Sequence, residues 1–374
     1  MLAMDTHKSI NKNEPQAEVL RPFLLKDLLE SRNIDWTWIN KTFRNSPAAF
    51  EEVLFRIHYK RKKLLPGESV SRILLFLSTG YLSTNDIRYF NEFLWFYKET
   101  EHEKEMMDGC MERFHASLDE KGCHHLPESL VQYPVNTAGR DLDSITVINN
   151  SPLKVCLIGF PPFFGPVIKQ LKKEGHQVHQ YFIPYHPNRY INRVLKFKLP
   201  VKLLSMLKGN FYTYKTLNYD PRDEQIGKEL KKEKFDIGFH KLNLIIRENI
   251  FGSFRLGLLN DHWGYLPLMR GKSTIAYSLL LDVPVISTIH FINEGIDSGP
   301  IVGYQTAQYS NAASADDVRG ILKKKMPQRV VAAIKFAGSN NFTSKENNKE
   351  AGATFYEMHP WLNEHINSRI LKKK

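Results

Sequence analysis

Asn260 and His262 flank Asp261 in the stretch GLLNDHWGYLPLMRG, Gly257 to Gly271. An amide and an imidazole this close suit a reaction that creates an oxyanion. Asparagine donates a fixed hydrogen bond, and histidine gives or takes a proton near neutral pH. Such a pair needs a carboxylate to orient the imidazole. Downstream, STIHFINEGIDSGPIV places Asp297 in a tight Ile-Asp-Ser-Gly-Pro turn directly after an apolar run. Taken singly, Asn260 and Asp297 read as turn residues and His262 as a satisfied polar group. Their order and setting favour a site. Asp261 is expected to cap or hydrogen-bond the loop rather than move protons, and His290 to be structural or to line the pocket.

These side chains require elements to hold them. KVCLIGF from Lys154, HQVHQYFI, FDIGFHKL, FRLGLLN and PVISTIHFI read as strands, with helical patterns between several of them. GPVIKQLKKEGHQV is an amphipathic helix closing on Gly175. Strands alternating with helices predict an α/β fold with a doubly wound parallel sheet, in which ligands sit beyond the carboxyl ends of the strands. FRLGLLN then delivers Asn260 and His262 to such an end. Ahead of this unit the pattern is helical. RPFLLKDLLESR carries an apolar stripe, Ser46-Pro47 reads as a cap followed by a first-turn proline, and Tyr89 to Tyr97 are aromatic at helical spacing. The predicted organisation is a lead-in over 1–18, an α-helical domain over 19–125, a linker over 126–150, a catalytic unit over 151–310 and a C-terminal helical extension over 311–374.

With 374 residues, two domains are the expectation, and 42% hydrophobic residues support a real core. The formal charge of +12 points to an anionic partner. Cys110, Cys123 and Cys156 form no disulfide framework, which fits a reducing compartment. The N-terminus lacks a signal-peptide core, and no apolar run reaches the roughly 18 residues of a spanning helix, so the expected location is cytoplasmic. Cys110, His115, Cys123, His124 and His125 match no standard zinc spacing, and no metal is expected. From Asn188 to Tyr219 the chain carries Arg189, Arg193, Lys196, Lys198, Lys202, Lys208 and Lys215 and no acidic residue. This insertion, with a helix broken near Pro200, reads as a solvated basic face, a diphosphate site or, over 188–215, a peripheral membrane contact.

The three blocks Gly257-x-x-Asn260-x-His262-x-Gly264-x-Leu266-Pro267-x-x-Arg270-Gly271, Thr288-x-His290 and Gly295-Ile296-Asp297-Ser298-Gly299-Pro300-Ile301 resemble the folate-dependent formyltransferases, over residues 154–308. The resemblance implies a Rossmann-like, mostly parallel sheet (the formyltransferase fold) binding 10-formyltetrahydrofolate as cosubstrate and passing its formyl group to an amine. Carried over by position, Asn260 stabilises the oxyanion, His262 shares that charge and moves protons, and Asp297 holds His262 active. Leu266, Pro267, Gly295, Ile296 and His240 fall in the implied folate site, and Arg270, Gly271 and Lys272 in the acceptor site, with stabilising the loop the alternative for Arg270. Two departures stand out: Trp263 replaces a frequent proline after the histidine, and Ile286 replaces a usual glycine.

For the acceptor, the cast of TIHFINEGIDSGPI resembles sugar N-formyltransferases, implying the amino group of a nucleotide-linked amino sugar of surface polysaccharide synthesis. No nucleic-acid partner is expected, and a homo-oligomer is one reading of the aromatic helix. Rival expectations are a formyltetrahydrofolate hydrolase, a formyltransferase of tRNA or of a purine precursor, and a non-catalytic ligand-binding scaffold.

Overall fold

The computed structural model describes residues 23–31, 33–64, 70–98, 101–119, 140–148, 151–184, 198–207, 211–218, 220, 222–242 and 244–372. The expected lead-in, most of the expected linker, Cys123, His124, His125, Arg189, Arg193, Lys196 and Lys208 lie outside the described residues.

Among the described residues, six α-helices come first: α1 (Leu25–Glu30), α2 (Trp36–Asn45), α3 (Glu51–Leu64), α4 (Val70–Thr84), α5 (Ile87–Phe96) and α6 (Glu101–Asp119). Ser46 makes no side-chain cap; Pro47 instead opens a short 3-10 turn, Pro47–Phe50, that leads into α3. The cap expected at Ser46 is absent; side-chain caps occur instead on other helices, at Asp35 of α2 and at Asp86, whose carboxylate accepts the Arg88 N–H at the start of α5. The aromatic run ahead of Tyr97 is core: Tyr89, Phe90, Phe93 and Phe96 are buried.

The remaining elements are β1 (Arg140–Asp141), β2 (Lys154–Gly159), α7 (Gly165–Lys173), β3 (Gln177–Phe182), α8 (Lys198–Leu207), β4 (Lys215–Thr216), α9 (Glu224–Lys232), β5 (Ile237–Lys241), α10 (Glu248–Phe251), β6 (Gly257–His262), β7 (Met269–Gly271), α11 (Thr274–Leu280), β8 (Ile286–Phe291), β9 (Ile301–Thr306), α12 (Ala315–Ala337), β10 (Ala353–Phe355) and α13 (Pro360–Lys372). The main sheet runs β1-β9-β8-β6-β5-β2-β3-β4. Its pairs are parallel except those of β8, which runs against both β6 and β9.

Alternation along each strand splits the core into two layers. Val155 and Leu157 of β2 and Phe239 of β5 face α7 and α12, while Cys156 and Ile158 face α9. Gly175 ends α7 at φ +87°, a left-handed position that glycine adopts without a Cβ clash. Pro200 does not break α8. It falls in the first turn, where its missing N–H has no helical partner to lose.

The boundaries are less separate than the sequence suggests. Arg140 and Asp141, in the expected linker, extend the sheet alongside β9. α12, beyond residue 310, packs on β5, β8 and β9. The helical layer shares one apolar core with the loop after β6 and with the C-terminal segment: Phe43, Phe76 and Phe90 belong to the same cluster as Tyr265, Met269, Tyr277, Phe355 and Leu362.

Candidate active site

Asn260 and His262 sit two residues apart on β6, so both project from one face of the sheet and Asp261 from the other. Pairing extends the front face sideways. His240 of β5 lies opposite Asn260, and His290 of β8 lies opposite it on the other flank. Three adjacent strands thus line up His240, Asn260 and His290 at the carboxyl end of β6.

Asp297 arrives from the turn after β8 at φ +46°, a left-handed conformation that aspartate tolerates better than most residues. The Asn347 amide holds this turn by donating to the Asp297 and Gly299 carbonyls, each at 2.9 Å. The carboxylate so placed lies 3.3 Å from His262 Nδ1 and 3.5 Å from His290 Nε2, and accepts the Gly271 N–H at 3.0 Å. Burial works against its charge, but His262, His290 and the Gly271 amide outweigh that and hold the Asp297 carboxyl well below the usual carboxylate range.

The two nitrogens of His262 face different groups. Nε2 lies 2.7 Å from the Met269 carbonyl, which can only accept, so Nε2 carries a proton. In the neutral ring Nδ1 is then a lone pair beside Asp297. Burial lowers the His262 pKa, while Asp297 pulls it up. His290 is oriented in the same way: its Nδ1 faces the Phe291 carbonyl at 2.7 Å and must donate. Its Nε2 lies 3.4 Å from the Asn260 amide nitrogen and 3.5 Å from the Asp297 carboxylate. One Asn260 N–H is thereby directed to His290, leaving the other for a ligand.

His240 is the third member of the row. Its Nδ1 accepts the Leu242 N–H at 3.3 Å, and its Nε2 is buried with no partner. Burial, reinforced by Lys241 and His290, pushes its pKa down to about 3.

Other expected site residues have different surroundings. The Arg270 guanidinium is consumed by the carbonyls of Pro267, Lys349 and Gly352 at 2.8–3.0 Å, which makes it a staple of the loop rather than an open anion site. Gly271, at φ +93°, passes so close to the next strand that a Cβ would lie 2.2 Å from the Phe355 carbonyl, and its N–H serves Asp297. Lys272 is solvent-exposed. Leu266 and Pro267, joined by a cis peptide bond, are buried, and the Leu266 N–H donates to the Thr288 hydroxyl at 3.3 Å. Gly295 and Ile296 are half-buried, with the Gly295 N–H bonded to Asn293 Oδ1 at 3.1 Å.

Behind β6 lies a polar network that sequence reasoning missed. Asp261, expected to cap or hydrogen-bond the loop, does accept the Trp263 indole N–H at 2.8 Å, and it also binds Arg329 of α12 at 2.6 Å and Ser287 at 2.5 Å. The Lys241 ammonium donates to the Asp261 carbonyl at 2.9 Å and lies 4.2 Å over the Trp263 ring. Trp263, the departure after His262, thus belongs to the support behind the site. A hint was present in an unusual charge inside a strand, since a buried carboxylate demands a cation.

A carboxylate, two imidazoles and an amide stand together at the carboxyl edge of a mostly parallel α/β sheet, side chains chemically able to donate hydrogen bonds to an oxyanion and to exchange protons. Residues 153–334 match the family described as formyl transferase. Over 217 residues the chain is 27% identical to a methionyl-tRNA formyltransferase of Clostridium perfringens, covering 57% of this chain and 67% of that one. A methionyl-tRNA formyltransferase of Prochlorococcus marinus is 22% identical over 199 residues, covering 52% and 58%. Among solved structures, a 4-N formyltransferase from Francisella tularensis aligns with a TM-score of 0.42 at 16% identity, over 58% of this chain and 87% of that chain.

Proposed function

We propose that this protein transfers the formyl group of 10-formyltetrahydrofolate to the primary amine of a nucleotide-linked amino sugar. The observation that carries the reading is the cluster in which Asp297, from the turn after β8, lies beside His262 of β6 and His290 of β8, while His290 also contacts Asn260 of β6.

10-Formyltetrahydrofolate supplies an electrophilic formyl carbon. The residues fit it: the free Asn260 N–H and the unpartnered His240 Nε2 stand side by side, as a polar ligand edge requires. Asn260 donates to the formyl oxygen as negative charge builds there. His262, its Nε2–H committed to Met269, takes a proton from the attacking amine at Nδ1. Asp297 stabilises the resulting imidazolium from 3.3 Å. His262 then gives that proton to the departing nitrogen. Leu266, Pro267, Gly295 and Ile296 shape the folate side, and Lys272 is the exposed cation available to an anionic acceptor.

Two features support a sugar acceptor: the cast of the Thr288–Ile301 block, and the folding of β10 and α13 into the shared core rather than into a separate basic unit. The identity to methionyl-tRNA formyltransferases favours a second reading, in which the amine belongs to methionyl-tRNA. The test supplies 10-formyltetrahydrofolate with a panel of nucleotide-linked amino sugars or with methionyl-tRNA and reads the acceptor by mass spectrometry. A formylated sugar is expected. Formate released without any acceptor would reassign the protein as a hydrolase, and no turnover at all would remove the proposal.

A further inference from the structure

α8 wears its apolar residues on the outside. Val201 is buried, and the helix packs against the 3-10 turn Pro161–Phe163 that follows β2. Leu203, Leu204, Met206 and Leu207 face solvent, with Leu207 74% exposed, and Phe211 just beyond the helix is 75% exposed. Leu203 and Leu207 are four residues apart and share one face. A single exposed leucine is ordinary, but five large exposed apolar side chains between residues 203 and 211 mark an interaction surface.

The charge around this surface says what covers it. Lys202 is exposed on the same helix, and the surrounding segment from Asn188 to Tyr219 is rich in lysine and arginine and lacks any acidic residue. A second copy of the chain would bring two such basic segments together across a symmetric interface, which repulsion opposes. An RNA would meet, on the exposed helix face, leucine and methionine, which neither pair with phosphates nor stack on bases. A bilayer with anionic headgroups satisfies both features: the apolar side chains enter the acyl boundary, and lysines reach the phosphates while their stems stay with the hydrocarbon.

We propose that α8 and Phe211 attach this protein peripherally to an anionic membrane surface. The turn that α8 packs on follows the carboxyl end of β2, so attachment brings that edge of the sheet, the edge bearing the site, toward the bilayer. The attachment is independent of the reaction catalysed.

The test is co-sedimentation of the full chain with vesicles of phosphatidylcholine alone or with added phosphatidylglycerol, at low and high salt. Binding is expected to require phosphatidylglycerol, to fall with salt, and to drop about tenfold or more in Leu203→Glu/Leu207→Glu and in Phe211→Ser. Lys202→Glu should weaken it less. These side chains are exposed, so the circular dichroism spectrum and melting temperature should hold. Absence of binding to phosphatidylglycerol vesicles, or equal binding by the variants, overturns the proposal. So does a wild-type dimer that the leucine variants dissolve, or tRNA binding that they weaken, without vesicle binding.

Discussion

The Asp261 carboxylate and the Arg329 guanidinium meet at 2.6 Å with neither side chain exposed, on the reverse of the strand that presents Asn260 and His262. Burial alone would raise the Asp261 pKa, but Arg329 and Lys241 outweigh it and hold the carboxylate well below its usual range. Strand β6 is thus clamped from behind by a charge pair that tolerates no loss of one partner.

Arg329→Met should therefore cost about 3–5 kcal/mol of stability by leaving a buried carboxylate unpaired, whereas Arg329→Met with Asp261→Leu should recover much of it. Chemical denaturation of the two variants checks this. Equal destabilisation by the single and double changes would mean that the pair is not the clamp.

Asn260→Ala removes the amide without touching the clamp. The turnover number should fall about 100- to 1,000-fold, the effect of losing one oxyanion donor, while the melting temperature stays near that of the parent. Steady-state kinetics on the formylated acceptor measures it.

The pH profile reports on His262. Its pKa is lowered, so the neutral, proton-accepting ring persists below the ordinary histidine value of about 6.5, and the acid limb of kcat/KM should fall below that pH. Asp297 favours the protonated ring. Asp297→Asn should therefore shift the limb further toward acid while lowering the maximum rate. A limb that moves to higher pH in this variant would contradict the assigned contact.

His240 ties stability to pH. Its folded pKa, about 3, lies below the unfolded value, so the folded state resists a proton that the unfolded chain accepts. Its contribution is intact above about 6.5 and is lost as pH falls toward 3, at no more than about 1.4 kcal/mol per unit. His240→Gln should flatten that part of the stability curve, as read by denaturant titrations from pH 7 to 4.

The front of β6 is legible in the sequence because its chemistry depends on residue type: an amide, an imidazole and a turn carboxylate near strand ends have few structural reasons to occur together. The back is not. Arg329 lies in ILKKKMPQRVV, where a buried arginine looks like one more surface cation, and only the packing of α12 on the sheet brings it to Asp261. Arg270 shows the opposite hazard. A cation at the end of a catalytic loop reads as an anion binder, but the carbonyls of Lys349 and Gly352 that occupy it come from a remote part of the chain. His290 reads as a strand residue until pairing sets it beside Asn260. Long-range partners, rather than local propensity, are what the linear pattern leaves out.

The short pairing of β7 with β10 sets the size of the working unit. Beyond β10, Tyr356 stacks on His58, and Asn91 holds the Glu357 carbonyl and the His359 N–H, so the strand is pinned to the helical layer. Cutting the protein back to residues 153–334 would leave Gly271, the backbone donor to Asp297, on a raw edge and bare Tyr265, Leu268 and Tyr277 to water. The smallest piece able to hold the Asp297 carboxylate in place is larger than the matched stretch of residues 153–334.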